Sequence, residues 1–350
     1  MLHTARLALL TFTLFATVPA FAEMTLPPGF TVHLYATGRG FDSSRERDIR
    51  GMPSLATLAI DHFGTLYLAK IGARFRTGEA EELSPIYRIP PGGARITQES
   101  EAGHLYGPPL LNPRVGWGHQ ADVLVTTYDR DRKLGAVYRI RDGRASLFAG
   151  GTPPVGDTPL LRTPEGVALD SLGNVYVVDR EQGNVVKLDP SGKVLNPQFV
   201  TGVGRGGPLA IDAKDHLWIG SDGTAATPFQ EGSGQIWRAT PDGTLTLVLQ
   251  GPIPAGLTAS PGGAIFVVQR RANKIFVVTP EGRRIDFGNS TDDTILRNLG
   301  FAPLTAETKK AGIGGGLFVV TSPRSNFAFS EVIRISGPFD DFVREQSQPK

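Results

Sequence analysis

Short apolar runs, rich in Val, Ile, Leu, Phe and Tyr, recur along the chain and stop at Gly, Pro, Asp or Ser. Residues 163–200 show the pattern most clearly: GVALD, a Leu172-Gly173 turn, NVYVVD, a loop, NVVKLD, a Pro190-Ser191-Gly192 turn, then KVLNPQFV. β-Branched and aromatic residues suit a pleated, half-buried surface, and runs this short favour strands over helices. Each unit therefore predicts four antiparallel strands. The grammar recurs as LATLAID-HFG-TLYLAK with PIYRI-PPGG-ARIT, and as ADVLVTTYD with GAVYRI-RDG-RASLFA. It returns as GPLAID-AKD-HLWIGSD with GQIWRA-TPDG-TLTLVL, and as GLTAS-PGG-AIFVVQ with NKIFVV-TPEG-RRIDF. A last copy, NLGFAP, GGLFVVTS and EVIRI-SGP, lacks an outer strand, while residues 30–36 (FTVHLYA) form a spare strand at the other end.

Such units stack on one another, and a spare strand that completes the last unit removes an exposed sheet edge. The predicted fold is all-β: a six-bladed β-propeller in one domain over residues 23–350. The blades fall at about 52–97, 104–148, 163–200, 204–249, 255–287 and 297–338, closed by the strand at 30–36. The 43 Gly and 27 Pro fit so many turns, and the absence of Cys excludes a disulfide scaffold, a Cys-ligated zinc and a thiol nucleophile.

Residues 1–22 read as a leader, with Arg6, an apolar run from Leu7 to Val18, and Ala20-Phe21-Ala22 before Glu23. The apolar run falls short of the roughly 20 residues of a membrane span. The expectation is an exported monomer, periplasmic or secreted, with no membrane span. Its removal leaves 35 basic against 34 acidic residues, because only Arg6 is lost, and that balance excludes a nucleic-acid binder.

Pro164-Glu165-Gly166-Val167-Ala168-Leu169-Asp170 and Gly173-Asn174-Val175-Tyr176-Val177-Val178-Asp179 resemble the NHL repeat, close to P-x-G-I-A-V-D-x-x-G-N-V-Y-V-x-D. The chain is similar to six-bladed propellers of the SMP-30/gluconolactonase and streptogramin-lyase type. Leu26-Pro27-Pro28-Gly29-Phe30-Thr31-Val32 and Arg50-Gly51-Met52 also resemble the opening of sorbosone-dehydrogenase-like propellers.

With strands lettered a to d outward from the channel, the a–b and c–d turns are short, and the b–c loops and d–a connections are long. The b–c loops span residues 71–84, 223–233 and 322–330, and the d–a connections span 37–51, 98–118 and 149–163. Long loops on a rigid scaffold carry binding, so that face and the channel mouth form the candidate site. Each b strand ends on a polar residue, Lys70, Thr127, Asp179, Ser221, Gln269 or Thr321, which predicts a ring around the channel. At the a-strand entrance Glu165 is a charge where Ala56, Gly207, Ala255 and Leu299 stand in other blades. Arg180, Arg270 and Arg324 join many arginines on the long-loop face, and guanidinium grips carboxylate or phosphate. The expected ligand is a small anionic molecule, a glycan or a protein partner, met by Lys70, Asp179, Arg180, Ser221, Gln269, Arg270 and Arg324.

The resemblance to SMP-30 implies a different chemistry, a lactonase holding Ca²⁺ or another divalent metal through Glu165, Asp179, Asp222 and Asn298. Here the slot that holds Asn-Gly in that family reads Glu165-Gly166. The streptogramin-lyase resemblance implies a His base with Mg²⁺, for which His119 is the candidate. In either hydrolase or lyase the metal would polarise a carbonyl while Glu165 or His119 moves the proton. The sorbosone-dehydrogenase resemblance implies a quinoprotein sugar dehydrogenase. No phosphate-binding loop, H-E-x-x-H zinc motif or G-x-S-x-G nucleophile elbow is present.

Overall fold

A computed structural model describes residues 24–38, 52, 55–70, 83–97, 99–118, 122–151, 158–290, 294–324 and 330–348. It is a six-bladed β-propeller. Blades three and four are plain four-stranded meanders: Pro164–Leu169, Val175–Asp179, Asn184–Leu188 and Val194–Thr201, then Gly206–Ile211, Leu217–Ser221, Gly234–Ala239 and Leu245–Gly251. The six inner strands neighbour one another in sequence order, and the last, Thr294–Phe301, returns to the first, Leu55–Ile60. Hydrophobic clusters fill each gap between blades, such as Tyr176, Val178, Leu217 and Ile219 between blades three and four.

Thr31–Thr37 closes the ring by pairing antiparallel with Glu331–Ser336, outside the inner strands of blade six. Two departures from the sequence pattern follow the ring. Residues 94–97 read as the outer strand of blade one, yet Ala94–Arg95 leaves Ile86–Ile89 and pairs in parallel with Ala36–Thr37 on blade six. Blade one thus has three strands in its own sheet, and blade six has five. In blade two the inner strand is Arg114–Trp117, inside the stretch 98–118 that reads as a connection. Met24–Thr25 adds a fifth strand to blade five by pairing with Ser290 and Asn289.

The Asp before the a–b turn of blades one, three and four has a local purpose. Asp170 Oδ1 accepts from the backbone N–H of Leu172 (3.1 Å) and Asn174 (2.8 Å), while Oδ2 accepts from the Tyr176 hydroxyl at 3.0 Å. Asp61 does the same for Phe63, Thr65 and Tyr67, and Asp212 for Lys214, His216 and the Trp218 indole. One carboxylate so satisfies the turn and a buried aromatic hydroxyl or N–H on the next strand. Burial, then the neighbouring Asp170, pushes the Tyr176 phenol above its ordinary pKa, so it stays a donor. The fourth turn position takes positive φ at Gly64 (87°), Gly173 (81°) and Gly263 (87°), and Asp215 occupies it at 60° in blade four.

Blade five has Ser260 in place of that Asp, and the missing carboxylate comes from the C-terminal helix Phe339–Ser347. Asp340 accepts from Ser260 Oγ at 2.8 Å and from the Gly262 N–H at 3.2 Å. Phe339 beside it packs edge-on against Phe301, 4.9 Å between ring centres, and against Phe30 at 5.0 Å. Asp340 is exposed, so Asp340→Ala should cost only about 1 kcal/mol in urea unfolding while amide exchange in the helix quickens. Unchanged exchange there would show that Phe339 alone anchors the helix.

Candidate functional site

The inner strands enclose a channel of about 1460 Å³. Five of the six begin at the long-loop end with an irregularity. The register shifts between Leu55 and Thr57, Pro164 and Val167, Gly206 and Leu209, Pro254 and Gly256, and Leu296 and Asn298. A β-bulge re-aims the extra residue. Ala56, Glu165, Gly207, Ala255 and Arg297 stand at these shifts and line the channel. In blade six the position belongs to Arg297, not to Leu299 as the sequence pattern suggests. In blade two the strand opens on Arg114, whose Nε donates to Glu165 Oε2 at 2.9 Å.

The expected ring of b-strand ends is displaced by one residue. Lys70, Thr127, Asp179, Ser221, Gln269 and Thr321 do not line the channel, whereas their successors Tyr128, Arg180, Asp222 and Arg270 do. The strand-end side chains are spent on the loops beside them. Asp179 is wholly buried: Oδ2 accepts from the N–H of Arg162 (2.5 Å) and Thr163 (3.0 Å), Oδ1 from Glu181 (3.0 Å) and Gln182 (2.9 Å). Ser221 Oγ accepts from the Gly223 N–H at 2.9 Å, and Gln269 Oε1 from Arg284. At Asp179 and Ser221 the polar side chain serves backbone N–H groups of the adjoining loops.

The mouth itself is rich in guanidinium. Among the described residues that line the channel, seven arginines (Arg114, Arg130, Arg180, Arg270, Arg271, Arg297 and Arg324) face three carboxylates, Glu165, Glu181 and Asp222. Arg180 bonds Asp222 through Nη2, and Glu181 takes Arg162 at 3.2 Å. Phe229, on the b–c loop of blade four, lies against two of these arginines, with the Arg270 and Arg180 carbons 4.4 Å and 5.1 Å from its ring centre. It holds φ of 59°, uncommon for a bulky side chain, and Arg205 ties its loop down by bonding the Ala225 and Thr227 carbonyls.

Arg270 is incompletely compensated. Its Nε is buried with no hydrogen-bond partner. Burial above all lowers its pKa; Asp222 and Glu165 oppose the shift, while Arg180 and Arg297 reinforce it. Burial lowers Arg297 as well. A guanidinium does not shed its proton in practice, so Arg270 keeps its charge despite the burial.

The four side chains expected to hold a divalent metal do not form one donor set. Asp179 is turned into its own loop, and Glu165 and Asp222 are each engaged by an arginine. Asn298 does line the channel, directly after Arg297. Among the described residues no three His, Asp or Glu side chains gather closely enough to share a metal. His119, the candidate base, lies outside the described residues. Arg114, Arg297 and Phe229 escape the sequence pattern. For Arg297 a usable signal exists, since Leu296-Arg297-Asn298 falls in step with Pro164-Glu165-Gly166 when the strands are aligned on their bulges.

The NHL repeat family model matches residues 161–188, the third blade's first three strands. No curated protein sequence matches the chain. Among solved structures, the PQQ-bound aldose sugar dehydrogenase of Streptomyces coelicolor is 14% identical with a TM-score of 0.56, over 89% of this chain and 100% of that one. Virginiamycin B lyase of Staphylococcus aureus is 14% identical with a TM-score of 0.51, over 90% and 99%. A gluconolactonase of Xanthomonas campestris is 12% identical with a TM-score of 0.54, over 82% and 86%. At such identity the likeness is one of fold, and the site must speak for function.

Proposed function

We propose that this propeller binds a small anionic ligand at the arginine-rich mouth of its channel. The observation that carries the reading is Arg270, a half-buried cation near Arg180 and Arg297 whose Nε is buried with no hydrogen-bond partner. An anion seated there would meet preorganised donors in a partly dehydrated site, where charge-assisted hydrogen bonds are strongest. The leader over residues 1–22 supports an exported protein, and among the described residues no helix is long and apolar enough to cross a membrane.

The names of the lactonase and lyase neighbours suggest a metal-assisted hydrolase or lyase instead. Such chemistry would draw on Glu165 and Asp222, and both already neutralise arginines, so the donor set suits an anion better than a divalent cation. The quinoprotein reading has more in its favour. Pyrroloquinoline quinone is a tricarboxylate, an anion that Arg114, Arg180, Arg270 and Arg297 would hold, and when bound it would supply two-electron oxidation of an alcohol.

Thermal melts of the full chain with citrate, pyrroloquinoline quinone and uncharged glucose test the reading. Both anions should raise Tm in a concentration-dependent way, and glucose should not. Arg270→Ala should weaken the anions at least tenfold, a loss of about 1.4 kcal/mol. An Arg270→Ala protein that binds them as the parent does would remove the mouth as the site. Pyrroloquinoline quinone retained through gel filtration while citrate washes out would favour the quinoprotein.

A further inference from the structure

Phe229 holds a backbone conformation that its side chain does not favour. It follows Pro228 in a turn of the blade-four b–c loop with φ at 59°, a position where Gly or Asn is the ordinary choice. Strain of this kind persists only where the surrounding structure imposes it. Here it is imposed from both sides. Ser233 Oγ lies 2.7 Å from the carbonyl oxygens of Asp222 and Gln230, and Arg205 Nη2 donates to the Ala225 and Thr227 carbonyls. Arg205 is itself fixed: its N–H donates to the Gly223 carbonyl at 3.2 Å, and its carbonyl accepts from the Asp222 N–H at 3.0 Å. The loop so held carries the Phe229 ring to the channel mouth.

The ring meets charge there, with the guanidinium carbons of Arg270 and Arg180 over it at 4.4 Å and 5.1 Å from its centre. An aromatic face attracts a cation through its quadrupole and carries no net charge. The neighbouring pairs work differently, since Glu165 neutralises Arg114 and Asp222 neutralises Arg180. Arg270 Nε has no hydrogen-bond partner, and the charges of Arg180 and Arg297 add to its own. A carboxylate in place of Phe229 would anchor Arg270 and cancel its charge. An aliphatic side chain would leave the charge and lose the anchor, so the guanidinium could turn into water. An aromatic ring anchors it and leaves the charge intact. We propose that Phe229 is the positioning residue of the anion site, holding the Arg270 and Arg180 guanidiniums in place before the ligand arrives. This rests on the anion reading above and adds how the site stays both ordered and positive.

Isothermal titration of the full chain with citrate tests it. Phe229→Leu, which stays apolar but loses the ring face, should weaken citrate about fivefold to tenfold. Phe229→Tyr, which keeps the ring, should bind within about twofold of the parent. Combined with Arg270→Ala, Phe229→Leu should cost about twofold or less, because it acts through a guanidinium already removed. Should Phe229→Leu fail to fold, Phe229→Asn, which accepts positive φ, takes its place with the same expected loss. Phe229→Leu binding as the parent does, Phe229→Tyr as weak as Phe229→Leu, or losses that simply add in the double variant would overturn the positioning role and leave the anion site standing. A parent chain that binds no citrate would overturn the anion reading and the role of Phe229 with it.

Discussion

Asp179→Ala unfolds well below the parent protein, by about 3–5 kcal/mol or roughly 6–10 °C, and without any link to metal. The size follows from what the carboxylate does. It is wholly buried and accepts four backbone N–H groups, from Arg162 and Thr163 before the inner strand and from Glu181 and Gln182 after its own. Alanine leaves all four donors in a space with no water to replace the lost oxygens. Asp179→Asn, which keeps one acceptor oxygen, should fall between the two. Melting the parent and the variant with EDTA and with Ca²⁺ decides between the loop role and a metal. A Ca²⁺-dependent rise in the parent that Asp179→Ala abolishes would return Asp179 to the ligand set.

Glu165→Gln tightens anion binding about tenfold while lowering the melting point of the unliganded protein. Glu165 now offsets Arg114 at 2.9 Å, within the same mouth as Arg270. At about 10 Å and an effective dielectric near 20, one removed negative charge is worth about 1.7 kcal/mol to an arriving anion. The same substitution strips a nearly buried arginine of its counter-charge, which costs stability until the ligand supplies one. The variant should therefore show a lower Tm alone and a larger rise with citrate. If Glu165 were instead a proton-transferring carboxylate or a metal ligand, Gln would lower binding or turnover, and tightening would not be seen. Glu165→Asp, which keeps the charge, should stay near the parent.

The parts of this molecule that could be read from the chain are those fixed by contacts within a few residues. The Asp-x-x-Gly turns are of that kind: Asp170 serves Leu172, Asn174 and Tyr176, all within six positions, so the motif carries its own explanation. The closing strand was legible because a missing strand at one end and a spare at the other leave one arrangement without an edge. The parts that were not legible depend on partners far along the chain. Arg114–Trp117 is four residues after Pro113 with no alternation to mark it, and only Val123–Thr126 beside it makes it a strand. Arg297 was hidden by the bulge, which shifts register by one and sends the neighbouring side chain to the other face. The polar ends of the b strands were real, but alternation along a strand does not say whether a given side meets the channel or the loop. For Asp179 and Ser221 it meets the loop, and the residue after each faces the cavity.

The pairing of Thr31–Thr37 with Glu331–Ser336 has a consequence for how the molecule is made. A strand made early in the chain waits for the last strand described, Glu331–Ser336, to be synthesised. Until then blade six has no outer partner and the circle of blades stays open, with the faces of its first and last blades in water. Local meanders such as blades three and four are free to form early, whereas the seal is a contact between ends of the chain and comes late. Loss of the opening strand should thus leave a protein with most of its blades and no completed circle, prone to pair its open edge with another chain.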